Sequence, residues 1–298
     1  MVSIKSSLMS FFKKIYISKF WFFIPAIIVL GLTFGYSIFR LFMTSFQKSV
    51  SGKIVFAGLE NFKKVLSDTI FYESIRNNAI LIAIIVPLLI FISIIFSITI
   101  YNNCYGAKFF QVLIFLPYIL SITVTGVLFS YLLQTNGVIN EFLRKVGLDL
   151  LTVDWLGNRK IAIVTIALII VWKEIGFGTI LFISRLGTLS ESLVDATKID
   201  GANKWQMLLN LYIPHLKGII VFYSTLIIVN MLSWVFNYVF VMTAGANNTM
   251  VFEMYVYRQL FFYTNRWGGS AASILVSLVV VVIIFLQMRS RIGLSEEE

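Results

Sequence analysis

Few residues in this sequence are of types that make or break bonds. There is one cysteine, Cys104, and one histidine, His215, so no disulfide can close within the chain and no structural zinc site can be assembled, since that needs four thiolate or imidazole ligands. The zinc-hydrolase pattern H-E-x-x-H and the phosphate-cradling loop G-x-x-x-x-G-K-[ST] are both absent. That leaves no catalytic constellation and no metal site to propose, and the chain cannot hold ATP by a P-loop. What remains are polar side chains inside long apolar runs, whose chemistry is hydrogen bonding and stacking. Asn230, Ser233, Trp234 and Asn237 fall at i, i+3, i+4 and i+7 in a run of Ile, Leu, Val and Phe, so they share one helix face. Two roles fit them: bonds between neighbouring helices, or planar groups beside an aromatic face along a solute path. Glu174 lies in another such run, where an unpaired charge costs about 2.5–3.5 kcal/mol, so it needs a partner, a watery cavity or a proton. Lys173 is adjacent in sequence and by helical geometry points elsewhere. Glu174 is therefore expected either to bond a solute hydroxyl or to bond a partner subunit. Arg40, near the end of its run, is a snorkelling side chain.

The runs that carry these residues are membrane spans. Of 298 residues, 59% are hydrophobic and 13% charged, against roughly 45–50% and 25% in soluble domains; the mean hydropathy is +0.90. A bilayer core of about 30 Å needs roughly 20 apolar helical residues. Six stretches qualify, at about 20–46, 79–100, 109–133, 161–183, 218–242 and 270–288. None has barrel-like alternation, so the expected fold is an all-α membrane protein with six transmembrane helices in one domain, 1–298. The first stretch is too long for a cleaved signal peptide. The sixth opens with Gly268, Gly269, Ser270, Ala271, Ala272 and Ser273, small residues suited to close helix packing. The net charge of +10 is spread over short loops, which argues for a membrane surface and against nucleic acid. Lys and Arg divide evenly between the two sides, but Lys5, Lys13, Lys14 and Lys19 ahead of the first span, with no acid among them, favour cytoplasmic N- and C-termini.

That orientation puts the loop 188–217 in the cytoplasm. Its apolar spacing predicts helices over 195–199 and 204–212, with Gly201 turning between them and Pro214 ending the second. An amphipathic hairpin outside the bilayer must bury its apolar face, on lipid headgroups or on a partner.

The loop resembles the EAA loop of the permease subunits of binding-protein-dependent ABC importers, E-A-A, three residues, G, nine residues, I-x-L-P. Asp195-Ala196-Thr197, then Gly201, then Leu211-Tyr212-Ile213-Pro214 follow that spacing without a gap. Asp200-Gly201-Ala202 resembles the carbohydrate branch. Phe56 to Phe62 and Phe115-Leu116-Pro117-Tyr118 extend the resemblance along the chain, in the layout of the first permease of maltose and glycerol-phosphate systems. The chain departs from the pattern at Asp195 for Glu, Thr197 for Ala, and Gly245-Ala246-Asn247-Asn248 where Gly-Gly-Gly-Pro is usual.

The resemblance implies an importer type I transmembrane domain in a bacterial plasma membrane, with Asp195, Ala196, Asp200, Gly201, Ala202 and Pro214 in a coupling helix seated on a separate ATPase. ATP and magnesium would be bound there, leaving this chain with no cofactor and no enzymatic activity. The implied partners are a second, homologous permease, two ABC ATPases, an extracytoplasmic solute-binding protein and a sugar. Tyr118 matches a sugar-contacting Tyr of the family, Phe177 stands where another such Tyr occurs, and Glu174 replaces a usual Gly. The polar face of the fifth span, Asn230, Ser233 and Asn237, corresponds to sugar contacts in the maltose permease. The expected function is import of a sugar or oligosaccharide by alternating access. Two alternatives remain: a glycerol-phosphate-like solute, which would require cavity cations where only Lys173 and Arg40 are available, and an ion-coupled secondary transporter. His215, beside Pro214, is read as an interfacial residue.

Overall fold

The computed structural model describes residues 23–102 and 105–295. The basic N-terminal tail, the first residues of the first span and Cys104 lie outside them, as do the side chains of Ser233 and of residues 286–295. Among the described residues five helices are long and apolar enough to cross a membrane, or six if one bent pair counts as a single span.

Two units are distinguished, residues 1–65 with 259–275, and residues 66–258 with 276–298. In the first unit, α1 (Ile24–Ser45) passes through a π turn at Gly31–Gly35. None of its most apolar window is buried within the chain, which suits a helix whose surroundings are lipid or another subunit. It leads into a hairpin of β1 (Gln47–Val50) and β2 (Lys53–Phe56), registered Gln47 to Phe56. Buried Asn61, in α2 (Glu60–Leu66), fastens this hairpin by donating to the carbonyls of Ser45 and Gln47, each at 2.8 Å. Glu60 meets Lys48 and Lys64, and these ammonium groups hold its carboxyl down at about 2.

The core of the second unit is α3 (Thr69–Tyr101) packed along α7 (Ala162–Leu186). Leu81, Ile85 and Leu89 from α3 and Ala162, Ile166 and Ala167 from α7 are buried at helical spacing. Asp68 caps α3 by accepting from the amide of Ile70 at 2.9 Å. The helix thus starts ten residues before the apolar run does, because its first turns are polar yet still pack. Two glycines allow α7 its close neighbours. A Cβ on Gly176 would lie 2.6 Å from the carbonyl oxygen of Ile114 and 2.7 Å from the Cα of Phe115. One on Gly178 would lie 2.6 Å from Ser93 Oγ and from the Tyr223 ring. Gly176→Ala must push backbone aside and should destabilise the purified protein by about 1–3 kcal/mol. Gly218→Ala, with open space around it, should not; thermal unfolding of the two variants side by side checks this.

The third apolar stretch is where the sequence reading is corrected. It forms no straight span: α4 (Ala107–Ile119) and α5 (Ile122–Leu132) meet at 95°. Pro117 withholds an amide from the last turn of α4, and Leu120 and Ser121 take extended backbone (ψ 142° and 140°), so the helical ladder is interrupted. Beyond α5 come α6 (Val138–Lys145) and a 3-10 turn, Asp149–Leu151.

Pro214 also acts otherwise than expected. After α8 (Glu191–Ile199) and α9 (Lys204–Met207), a π turn, Leu208–Tyr212, runs directly into α10 (Ile213–Met242). Helical backbone thus runs without a break from Lys204 to Leu232, and Pro214, just past the π turn, does not end the second helix of the hairpin.

The chain continues through α11 (Phe252–Tyr257), a π turn, Arg258–Phe262, and α12 (Arg266–Ser295). Between the fifth and sixth spans, Glu253 has both carboxyl oxygens buried with no hydrogen-bond partner among the described residues. Burial raises its carboxyl to about 7, offset only by its own backbone amide. The folded state thus prefers the protonated acid. Its stability is complete below the unfolded value near 4.5 and falls as pH rises to about 7. Glu253→Gln should raise the melting temperature at mildly alkaline pH, by the equivalent of roughly 2–3 kcal/mol, and change it little at acid pH; melting curves across that range test the sign.

Candidate functional site

Within the second unit α3, α4, α7 and α10 enclose a cavity of about 230 Å³. Its lining is aromatic and aliphatic with few polar atoms: Tyr118 from α4, Glu174 and Phe177 from α7, and Tyr223, Asn230, Trp234 and Tyr238 from α10, closed by Ile85 and Leu89 of α3. The rings of Tyr118 and Phe177 stack, with centroids 5.3 Å apart and planes 19° apart. Phe177 and Tyr223 are tilted at 6.0 Å. A flat apolar wall is thus set beside a carboxylate, an amide and an indole, which is what a ring bearing hydroxyls and C–H faces requires.

The charged pair behind this wall differs from the sequence reading. Lys173 does not point elsewhere. Its Nζ is 3.2 Å from Glu174 Oε1 and donates to the Tyr118 carbonyl, also at 3.2 Å, while lying 5.2 Å from the Tyr118 ring centroid. The two side chains are 5% and 13% exposed. The stems of adjacent helical residues diverge, but the flexible four-carbon lysine stem curls back once burial makes an unpaired charge costly. The pair is electrically balanced, and Glu174 still lines the cavity.

The polar face read from α10 divides. Asn230 and Trp234 line the cavity, whereas the side chain of Asn237 is exposed and lines none of it, and that of Ser233 lies outside the described residues. The registry is set by residues that polarity alone did not single out. Tyr223, Ile227, Asn230, Trp234 and Tyr238 follow one helical stripe, and the tyrosines are its bulkiest fully buried members. Tyr223 is buried and its hydroxyl is 3.4 Å from the carbonyl of Glu174. The signal was the recurrence of Tyr at the two ends of that stripe.

At the far end of α7, away from Ile161, lies the hairpin. Gly201 adopts φ +78° with nothing near its missing side chain. Asn203 and Gln206 form a reciprocal capping box (2.9 and 2.8 Å), so α9 starts sharply after the turn. Asp195 pairs only with exposed Lys198 at 3.2 Å. Asp195, Ala196 and Asp200 are exposed with Gly201, and Ala202 is half-buried. Ile199 and Trp205 are 86% and 66% exposed beside the elbow, large apolar groups that an unpartnered hairpin has no reason to present. The base of the hairpin is stapled by His215. Its Nε2 is 3.0 Å from the Arg185 carbonyl and 3.2 Å from Thr188 Oγ1, and Arg185 Nε donates to the His215 carbonyl at 3.2 Å. Tyr212 adds a bond to Asn102 at 3.3 Å.

The chain is similar to several transport permeases. A lactose transport permease of Rhizobium radiobacter is 28% identical over 281 residues, covering 92% of this chain and 94% of that one. A probable ABC transporter permease of Pyrococcus horikoshii is 28% identical over 270 residues, with 88% and 92% covered, and a diacetylchitobiose uptake permease of Streptomyces coelicolor is 28% identical over 252 residues, with 78% and 71% covered. In fold, the chain matches a solved bacterial ABC transporter for the acidic polysaccharide alginate, with a TM-score of 0.80 at 22% identity over 95% of this chain and 97% of that one. The model of the binding-protein-dependent transport system inner membrane component matches residues 77–290. A multi-pass helical chain with the type I importer fold, a walled central cavity and a protruding apolar-tipped hairpin is thus a member of the family of inner-membrane components of binding-protein-dependent transport systems.

Proposed function

We propose that this chain is the permease subunit of an ATP-driven importer for a sugar or oligosaccharide, working beside a second permease in a bacterial plasma membrane with both termini cytoplasmic. The observation that carries the substrate class is the stacked Tyr118–Phe177 wall sharing one cavity with Glu174, Asn230 and Trp234. The lactose and diacetylchitobiose permeases among its relatives support the same class. A glycerol-phosphate-like anion is disfavoured, because among the described residues no cation lines the cavity and Lys173 behind its wall is already paired with Glu174.

In this reading the hairpin around Gly201 seats in a separate ATPase subunit through Ile199 and Trp205, with Asp195 facing a basic group there. ATP and magnesium belong to that subunit. Closure of two ATPases moves two hairpins together and turns the cavity outward to a loaded solute-binding protein; hydrolysis returns it inward. Arg185, Thr188, His215 and Tyr212 tie the hairpin to α7, α10 and the end of α3, and so link its movement to the helices that line the cavity. The test is ATPase activity of the purified assembly in lipid, with binding protein preloaded from a panel of sugars. Stimulation by one sugar class is expected; an assembly that brings down no ATPase would overturn the reading.

A further inference from the structure

At the end of the second unit remote from the hairpin, a second hollow of about 470 Å³ is bordered by α3, the segment leading into α7, and the 243–250 loop. Four cations line it, Arg76, Arg159, Lys160 and Arg258, against one acid, Glu73. None of the four is ion-paired among the described residues. The loop that shapes it is built at a cost. Ala244, Asn247 and Asn248 have φ between 49° and 63°, left-handed backbone that non-glycine residues adopt only when their surroundings hold them there. Buried Asn77 holds this loop by donating to the carbonyls of Asn248 at 2.9 Å and Met250 at 2.8 Å. The loop in turn fixes two of the cations: Arg258 donates to the Ala244 carbonyl at 2.7 Å, and Arg76 donates to the Asn248 side chain. A solvated scatter of lysines would need none of this.

The hollow and the solute cavity share α3. Arg76 precedes Ile85 of the cavity by nine residues, about 13 Å along the helix. An anionic solute drawn to these cations would find no free positive charge farther in, where Lys173 is already paired. The hollow therefore suits an anion that docks and stays outside.

We propose that this basic hollow is the seat for surface carboxylates of the solute-binding protein. The proposal rests on the importer reading, which makes this end of the bundle extracytoplasmic. Guanidinium groups held by a fixed loop, as Arg76 and Arg258 are, can take carboxylates bidentately, and uncompensated charge at the mouth accelerates encounter and sets orientation.

The test uses the complete permease–ATPase assembly in lipid with its binding protein. The half-saturating concentration of binding protein for ATPase stimulation is read at low and raised ionic strength. Wild type should weaken as salt rises. Arg76→Glu with Arg159→Glu should raise the half-saturating concentration about tenfold or more and flatten the salt dependence. Arg76→Lys with Arg159→Lys, which keeps the charge, should retain most of the affinity and shows that loss in the reversed variant comes from charge. Stimulation of the reversed variant at wild-type concentrations and with wild-type salt dependence overturns the proposal and leaves the importer reading standing. Normal docking together with selective loss of uptake of acidic sugars overturns it too, by giving the hollow to the solute. Wild type that no loaded binding protein stimulates overturns the importer reading, and the proposal with it.

Discussion

Gly201→Asp is expected to abolish binding-protein-stimulated ATP hydrolysis while leaving this chain folded. Gly201 stands at φ +78° with no atom near its missing side chain, so nothing within the chain collides with an added one. Asp is among the residues that enter left-handed backbone most readily, and the local cost is about 1 kcal/mol. The damage falls on the partner surface: a fresh carboxylate would stand beside Asp200 at an elbow whose exposed Ile199 and Trp205 need an apolar seat, and burying an uncompensated charge there costs several kcal/mol. Gly201→Asn, close in shape and equally tolerant of the backbone but neutral, should lose much less. Co-purification of the ATPase and sugar-dependent hydrolysis for the two variants separate charge from backbone. Equal activity of Gly201→Asp and wild type would remove the hairpin from coupling.

Glu174→Gln is the other substitution with a large expected effect, and its origin can be divided. Among the described residues the carboxylate is the only acid paired with Lys173, whose side chain is 5% exposed. Removing its charge strands a buried ammonium, which costs about 3–5 kcal/mol whether or not Glu174 ever touches a sugar. Thermal stability and uptake should therefore both fall. In the double variant Lys173→Met with Glu174→Gln the stranded charge is gone and stability should largely return. Uptake that returns with it would make the pair purely structural. Uptake that stays low in a stable double variant would assign Glu174 a solute bond, as its place on the cavity wall suggests.

The site was legible in unequal parts. The hairpin was readable because its determinants are local: a glycine for the left-handed turn, and apolar residues at helical spacing on either side of it. Pro214 was misread for the same reason, since a local rule cannot distinguish a proline that ends a helix from one past which the helix continues. On α10 the polar residues marked a face, but the cavity followed the stripe of Tyr223, Asn230, Trp234 and Tyr238, and Asn237 turned outward. In a helix apolar all round, hydrophobicity gives no preferred direction; neighbours decide which side is the wall.

By itself the sequence determined that this is a helical membrane chain, through composition and run length, and where the elbow of its hairpin lies, through spacing. Tertiary structure alone decided that the third apolar stretch bends by 95°, that Lys173 turns back to Glu174, and that cations distant in sequence, Arg76, Arg159 and Arg258, gather at one mouth. The division has a physical cause. Transfer into lipid and backbone preference act residue by residue and are written along the chain, whereas helix registry and charge pairing depend on which surfaces meet, and that is set by close approaches such as Gly176 against the backbone of Ile114 and Phe115.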